Sequence, residues 1–324
     1  MSENKYGEID SPEKALDYAI RDCECKEKSI ECGYKIADIE PYWNYLSNDA
    51  WEEFLKSMSP LHRAQYNDAD GGELKEKKGR WGICPPKMAS FGSSSRFLYN
   101  LSKDIEGFQF EKLMPTRVGG SANLDGYIMR GDVDVFIEAK CREIYSSHKT
   151  IEVSNVYKEI FEKLKAKYSK LSFNWSAKDD DDKHFKCTFN FNDKEIVHFD
   201  IKQLICHFLA ISANIIENEN VNTDIKFVYL IFNPKKDTCF DNKKVSAYQE
   251  RILKIYKDTN NEIRKFDFDM EQLFDSIFKI QAERLGSKGK KYSSFKFCLA
   301  DQKDYKEKIQ GCKTQRCAVF LHTF

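Results

Sequence analysis

Residues 124–145 read LDGYIMRGDVDVFIEAKCREIY, and two extended runs are visible in them: Leu124 to Arg130 and Val133 to Cys141, separated by the turn-forming pair Gly131-Asp132. The expected structure is a β-hairpin. Side chains alternate across a strand, so Asp134, Phe136, Glu138, Lys140 and Arg142 share one face of the second run, and Val133, Val135, Ile137 and Ala139 share the other. A carboxylate and an ammonium thus lie side by side on a strand whose opposite face is apolar. Asp125, near the start of the first run, is where a hairpin can bring a second carboxylate close to Glu138. Two carboxylates and a lysine are the equipment for binding a divalent cation and hydrolysing a phosphodiester.

Asp125 followed by Glu138-Ala139-Lys140 on the next strand resembles the PD-(D/E)xK motif of the restriction-endonuclease-like nuclease superfamily. Leu124 stands where the name-giving proline would be. The resemblance covers the hairpin and, more loosely, residues 91–232. It implies an α/β fold, a mixed α+β sheet flanked by helices. It also implies Mg²⁺ or Mn²⁺ held by Asp125, Glu138 and the carbonyl of Ala139, with Lys140 orienting or deprotonating the attacking water. Glu106 and Glu111 are candidates for a further acid from the region before the hairpin, and Arg142 is a candidate phosphate ligand. DNA is the expected substrate, because most relatives with this motif act on DNA and nothing here resembles an RNA-binding module. A restriction-type or other defence endonuclease suits the chain, by analogy. The alternative is a nucleic-acid-binding protein of the same fold that has lost the chemistry. Two-strand cutting often uses a symmetric dimer, so a homodimer is among the expected assemblies.

The tripeptide occurs elsewhere, as Glu24-Cys25-Lys26, Glu73-Leu74-Lys75, Asp200-Ile201-Lys202 and Asp224-Ile225-Lys226. The hairpin copy alone combines an upstream Asp that has a hydrophobic neighbour with an alternating apolar face. The best competitor is Asp224-Ile225-Lys226, which opens the nearly continuous apolar run IKFVYLIF (225–232), a strand covered on both faces. Before it, HFDIKQLICHFLAISANII (198–216) carries Ile201, Leu204, Ile205, Phe208, Ile211 and Ile215 at helical spacing. Gln203, His207 and Asn214 fall along one flank of that stripe. In one lineage of the superfamily a helix after the catalytic strands points a Gln at the metal, so Gln203 is a candidate catalytic residue and His207 a weaker one. Gln203 equally completes a capping box with Asp200, and His207 has ordinary structural uses.

The composition, 41% hydrophobic and 14% aromatic, supports a substantial core, and the chain is expected to divide into residues 1–90 and 91–324. The first part reads as helical and acidic with a basic, loop-rich end bearing Lys75, Lys77, Lys78 and Arg80, and a polar insertion is expected near 171–197, around Asp179 to Asp182. No apolar run reaches about 18 residues and the N-terminus lacks an apolar leader, so no membrane partner and a cytoplasmic location are expected. Eleven scattered cysteines fit reduced thiols. Cys23, Cys25 and Cys32 are the one metal-like cluster, but their spacing is not that of a zinc ribbon. Formal net charge is zero, yet residues 1–59 hold 14 acids against 7 bases and residues 286–316 hold 9 bases against 3 acids. That asymmetry permits a local basic surface for phosphate contact, or attraction between the two ends.

Overall fold

A computed structural model describes residues 9–310 apart from 38–40, 70–72, 80–81, 149, 178–183, 192–193, 219–222, 235–237, 268 and 288–291. The chain opens with α1 (Pro12–Lys28), started by Ser11, whose hydroxyl accepts from the Lys14 N–H. A short antiparallel pair follows, β1 (Cys32–Tyr34) with β2 (Tyr42–Leu46), then α2 (Asn48–Ser57) and α3 (Pro60–Asp68). Another small pair, β3 (Lys77–Gly79) with β4 (Gly82–Cys84), and a 3₁₀ turn at Lys87–Ala89 lead to α4 (Ser94–Ser102). The N-terminal region expected to be helical therefore also contains extended pairs. The stretch 60–92, read as loop-rich, holds a helix and a buried turn.

The expected hairpin forms at the centre of the molecule. Strands β5 (Gln109–Pro115), β6 (Ser121–Arg130) and β7 (Val133–Lys140) run as an antiparallel meander, and Gly131, at φ +61°, makes the β6–β7 turn in a backbone region that favours glycine. Next come β8 (Thr150–Ser154), α5 (Lys158–Lys167), β9 (Leu171–Ala177), β10 (His184–Phe191) and β11 (Lys194–Glu195). They are followed by α6 (Ile201–Glu217) and β12 (Asp224–Ile231), then α7 (Lys243–Ser246), α8 (Gln249–Asp267), α9 (Met270–Arg284), β13 (Ser294–Ala300) and α10 (Tyr305–Gln310). Strand β12 inserts parallel to β7, and β13 parallel to β12, giving the five-stranded mixed sheet β13-β12-β7-β6-β5. Helix α4 packs on β6 and β7, while α6 packs on β5, β6 and α9. This is a mixed α/β architecture with helices on the sheet, and β12 is buried along its length as its apolar run requires.

Residues 171–197 depart from the expected polar insertion. Strands β9, β10, β11 and β8 form a second antiparallel sheet, with Phe173, Cys187 and Phe189 buried on the side of α5. The Phe161 ring of α5 lies 5.8 Å from Phe173 and 5.5 Å from Phe189. Alternation of Leu171, Phe173 and Trp175, and of Phe185, Cys187, Phe189 and Phe191, carried this signal. Asp179 to Asp182 and part of the basic tail lie outside the described residues. Among the described residues, no helix is long and apolar enough to cross a membrane.

One apolar cluster joins the two halves of the chain, running from Leu16 of α1 through Trp51, Tyr66 and Leu98 to Val135, Phe208 and Ile309. A buried charge ties them as well. Asp17 on α1 has no exposed surface, and its Oδ2 accepts from Arg142 Nη1 at 2.8 Å and Asn44 Nδ2 at 3.0 Å. A Cβ on Gly92 would stand 1.6 Å from Asp17 Oδ1, so glycine is required there by close approach. Gly92→Ala should therefore break the Asp17–Arg142 pair and cost roughly 3 kcal/mol, the scale for disrupting a buried ion pair. Equilibrium urea unfolding checks this, and an unchanged midpoint would show the latch to be dispensable.

Candidate functional site

The registers Phe110–Gly126, Lys112–Leu124 and Gly126–Ile137 put Glu111, Asp125 and Glu138 on one lateral row across β5, β6 and β7. Tyr229 of β12 pairs with Glu138 and extends that row. Two residues further along β7 is Lys140, on the same face as Glu138. Helix α6 supplies the rest: Gln203, in its first turn, and His207 one turn later.

The contacts between these groups are short. Lys140 Nζ lies 2.6 Å from Glu138 Oε1 and donates to Gln203 Oε1 at 2.6 Å. His207 Nε2 is 2.9 Å from Glu138 Oε2. Asp125 Oδ2 accepts from the Ala139 N–H at 2.7 Å. Only half of the expected capping box forms: Asp200 accepts from the Gln203 backbone N–H at 2.9 Å, while the Gln203 side chain, which would complete the box, turns to Lys140. The capping bond fixes the start of the helix, and that fixes where the amide points.

Burial makes the electrostatics strong. Desolvation drives the Glu138 pKa upward, but Lys140 and His207 more than reverse it and lower it to about 2. Desolvation would weaken the Lys140 ammonium, and the charge of Glu138 outweighs it, so Lys140 is raised well above its ordinary value. Asp125 moves the other way: burial, then the Glu138 charge, raise it well above the carboxylate range. The shifts of the adjacent carboxylates on this row thus run in opposite directions, Glu138 down beside the lysine and Asp125 up.

Glu111 joins this group and Glu106 does not. Glu106 is exposed in the loop after α4. Glu111 is buried, and its backbone adopts φ +53°, a conformation that non-glycine residues enter at a cost. Its carboxylate accepts from Ser95 Oγ at 3.4 Å and from the Asn123 amide. Burial and the charge of Glu73 raise its pKa to about 7, with Glu138 contributing. Arg142, expected to face a phosphate, is bound to Asp17. Asn214 lies farther along the helix, exposed among the residues lining a groove with Met129, Asp134 and Phe136. The competing Asp224-Ile225-Lys226 sits at the opposite end of β12, where Lys226 Nζ donates to the Lys308 carbonyl and Asp224 accepts from Ser294 at 2.7 Å.

Sequence reading missed Tyr229, Glu73 and Lys87. Tyr229 was legible only through its register with Glu138. Glu73 belongs to another copy of the tripeptide, Glu73-Leu74-Lys75, and its proximity to the row depends on how the segment before α4 folds back.

Among the described residues, no group of three or more His, Cys, Asp or Glu side chains is arranged to hold a metal ion. Cys23, Cys25 and Cys32 are not joined in a disulfide. The oxygen pair Asp125 and Glu138 nonetheless suits a hard cation. Neither Glu138 oxygen receives a well-directed hydrogen bond, both are sealed from solvent, and a second carboxylate stands beside them. Comparison of the chain with family models, curated proteins and solved structures finds no match.

The raised pKa of Glu111 has a consequence for stability. The folded state binds this proton more tightly than the unfolded chain, so the contribution is fully present below the ordinary value of 4.5 and is lost as pH rises through about 7. Replacing Glu111 by Gln should remove that loss, leaving the variant more stable than wild type at pH 8 by about 3 kcal/mol relative to their difference at pH 4. Urea unfolding at the two pH values measures it, and parallel pH profiles for the two proteins would rule out a proton on Glu111.

Proposed function

We propose that this chain is a metal-dependent endonuclease that hydrolyses phosphodiester bonds in DNA, of restriction type or another defence type. The observation that carries the reading is the convergence of Asp125, Glu138, Lys140 and Gln203 on one face of a mixed sheet, from the β6–β7 hairpin and from α6, whose Gln203 is 63 residues beyond Lys140. A second carboxylate beside a buried carboxylate–lysine pair adds negative charge that the pair does not need, and a divalent cation would offset it.

In this reading Asp125, Glu138 and the carbonyl of Ala139 would hold Mg²⁺ or Mn²⁺, and the cation would supply positive charge beside the phosphate and the attacking water. Asp125 would serve as a ligand in its ionised form. Lys140 stays charged, because its pKa is raised, and so acts by orienting the nucleophile and stabilising charge on the phosphate, not as the base. Gln203 fixes the ammonium through its Oε1. His207 supports Glu138 from the apolar side of α6. Cutting both strands asks for two such centres, so a homodimer on DNA belongs to this reading.

Plasmid and phage DNA should be cut in Mg²⁺ or Mn²⁺ and left intact in a chelator. Asp125→Ala, Glu138→Ala and Lys140→Ala should each lower the rate by at least about 100-fold, with unchanged circular dichroism. Metal-dependent cleavage that survives in all three variants would sink the assignment. DNA binding without cleavage by wild type would support the inactive binding protein instead.

A further inference from the structure

Lys140 is confined. Its side chain is 11% exposed and is held by both Glu138 and Gln203, so it serves a single point in the cleft. Arg142, the other cation on that strand's path, is drawn back by Asp17. A polyanion entering a centre with several carboxylates needs another positive group near its backbone.

The segment before α4 supplies one. Lys87 opens the 3₁₀ turn Lys87–Ala89, whose next two residues, Met88 and Ala89, have no exposed surface. The Met88 N–H donates to the Glu73 carbonyl at 3.1 Å, which anchors the turn to that segment. The Lys87 stem therefore springs from a fixed backbone. Its ammonium lies 2.8 Å from Glu73 Oε1, and the two partners differ sharply: the Glu73 side chain is 7% exposed and that of Lys87 is 60%. The carboxylate is buried, and the lysine side chain that answers it is open to solvent over much of its length. The turn runs directly into α4, whose first residues touch the centre from the same side. Ser95 Oγ donates to Glu111 at 3.4 Å, and Ser94 Oγ donates at 2.9 Å to Glu143, which accepts from the Cys141 N–H at the end of β7. The charges of Glu73, Glu111 and Asp125 all act on Lys87, in that order.

We propose that Lys87 binds the DNA phosphate next to the scissile one, with Glu73 as the buried residue that positions it. The inference rests on the nuclease reading and extends it to a segment outside the hairpin. Two carboxylate–lysine pairs then flank the Asp125 row. Glu138–Lys140 is sealed and serves the reacting group, and Glu73–Lys87 is open on one side and receives the backbone of the substrate. Exchanging Glu73 for phosphate requires only rotation of an exposed lysine side chain, with no movement of the turn.

The test separates binding from turnover. Lys87→Ala should raise KM for a DNA duplex roughly 3- to 10-fold with kcat nearly unchanged, and Lys87→Arg should restore it. In fluorescence anisotropy without divalent cation between 50 and 200 mM salt, Lys87→Ala should reduce the slope of log affinity against log salt by about one. Its thermal midpoint should fall, because the buried Glu73 carboxylate is left without its partner, and Lys87→Ala/Glu73→Gln, which removes that charge, should regain the midpoint while keeping the raised KM and the lowered slope. Wild-type KM and wild-type salt slope in Lys87→Ala would overturn the inference while leaving the nuclease reading intact. A wild type that binds but never cleaves, with the slope lowered in Lys87→Ala, would retain the phosphate contact and overturn the nuclease reading. A wild type with no DNA affinity at low salt would overturn both.

Discussion

Placing a carboxylate and an ammonium side by side on the central strand of an apolar sheet is the constraint around which this molecule is built. Glu138 is buried to 1% and Lys140 to 9% exposure, on a strand flanked by neighbours on both edges and helices on both faces. An unpaired charge there costs several kcal/mol, so each must answer the other, and each needs a further partner for its remaining bonding capacity. Helix α6 meets that need with Gln203 and His207. Because those partners come from a helix 60 residues downstream, the pair holds only when the whole sheet–helix layer is in place.

Electrostatic consequences spread outward along the row. Burial and the Glu138 charge push Asp125 upward, and burial with the charge of Glu73 raises Glu111 to about 7. Such a row is poorly balanced for a structural core, where isolated pairs are the economical arrangement. In the proposed reading an added divalent charge would balance it and favour the ionised carboxylates as ligands. The strained backbone of Glu111 fits the same account, since a carboxylate on that edge is retained despite the cost of its conformation.

Much of this was legible in the sequence because it is local. Alternation in VDVFIEAK, the Gly131-Asp132 turn, the apolar run of β12 and the heptad-like stripe of α6 each depend on neighbours within a few residues. So did the assignment of Asp125, Glu138 and Lys140 to adjoining positions, which follows from a two-residue turn and strict period two. What escaped is long-range. Glu73 and Lys87 are ordinary polar residues in a glycine- and proline-rich stretch until that stretch folds beneath α4. Asp17 looks like one more acid on an acidic helix until Arg142 arrives from 125 residues away. The second sheet was a different failure. Its alternation was present, but the run of aspartates between its strands drew the whole segment toward a solvent-exposed reading.

The scaffold's rigidity is unevenly distributed, and the distribution suits the proposed chemistry. Glu262 of α8 accepts from three successive backbone N–H groups, those of Val197, His198 and Phe199, at 3.3, 3.1 and 2.9 Å. Phe199 then packs edge-on against Tyr229 at 5.1 Å, and Asp200 caps α6. Four consecutive residues are thereby pinned immediately before Gln203, which leaves the amide facing Lys140 little freedom. Precision of that order has use where a nucleophile and a phosphate must meet within a fraction of an ångström, because each misplaced contact is lost from the transition state. The outer cation is built differently, from a fixed turn and a free side chain. A DNA backbone varies in path from one sequence to the next, so in the proposed reading a contact that fixes register would gain from a lysine that can follow it, while the reacting centre would gain from one that cannot.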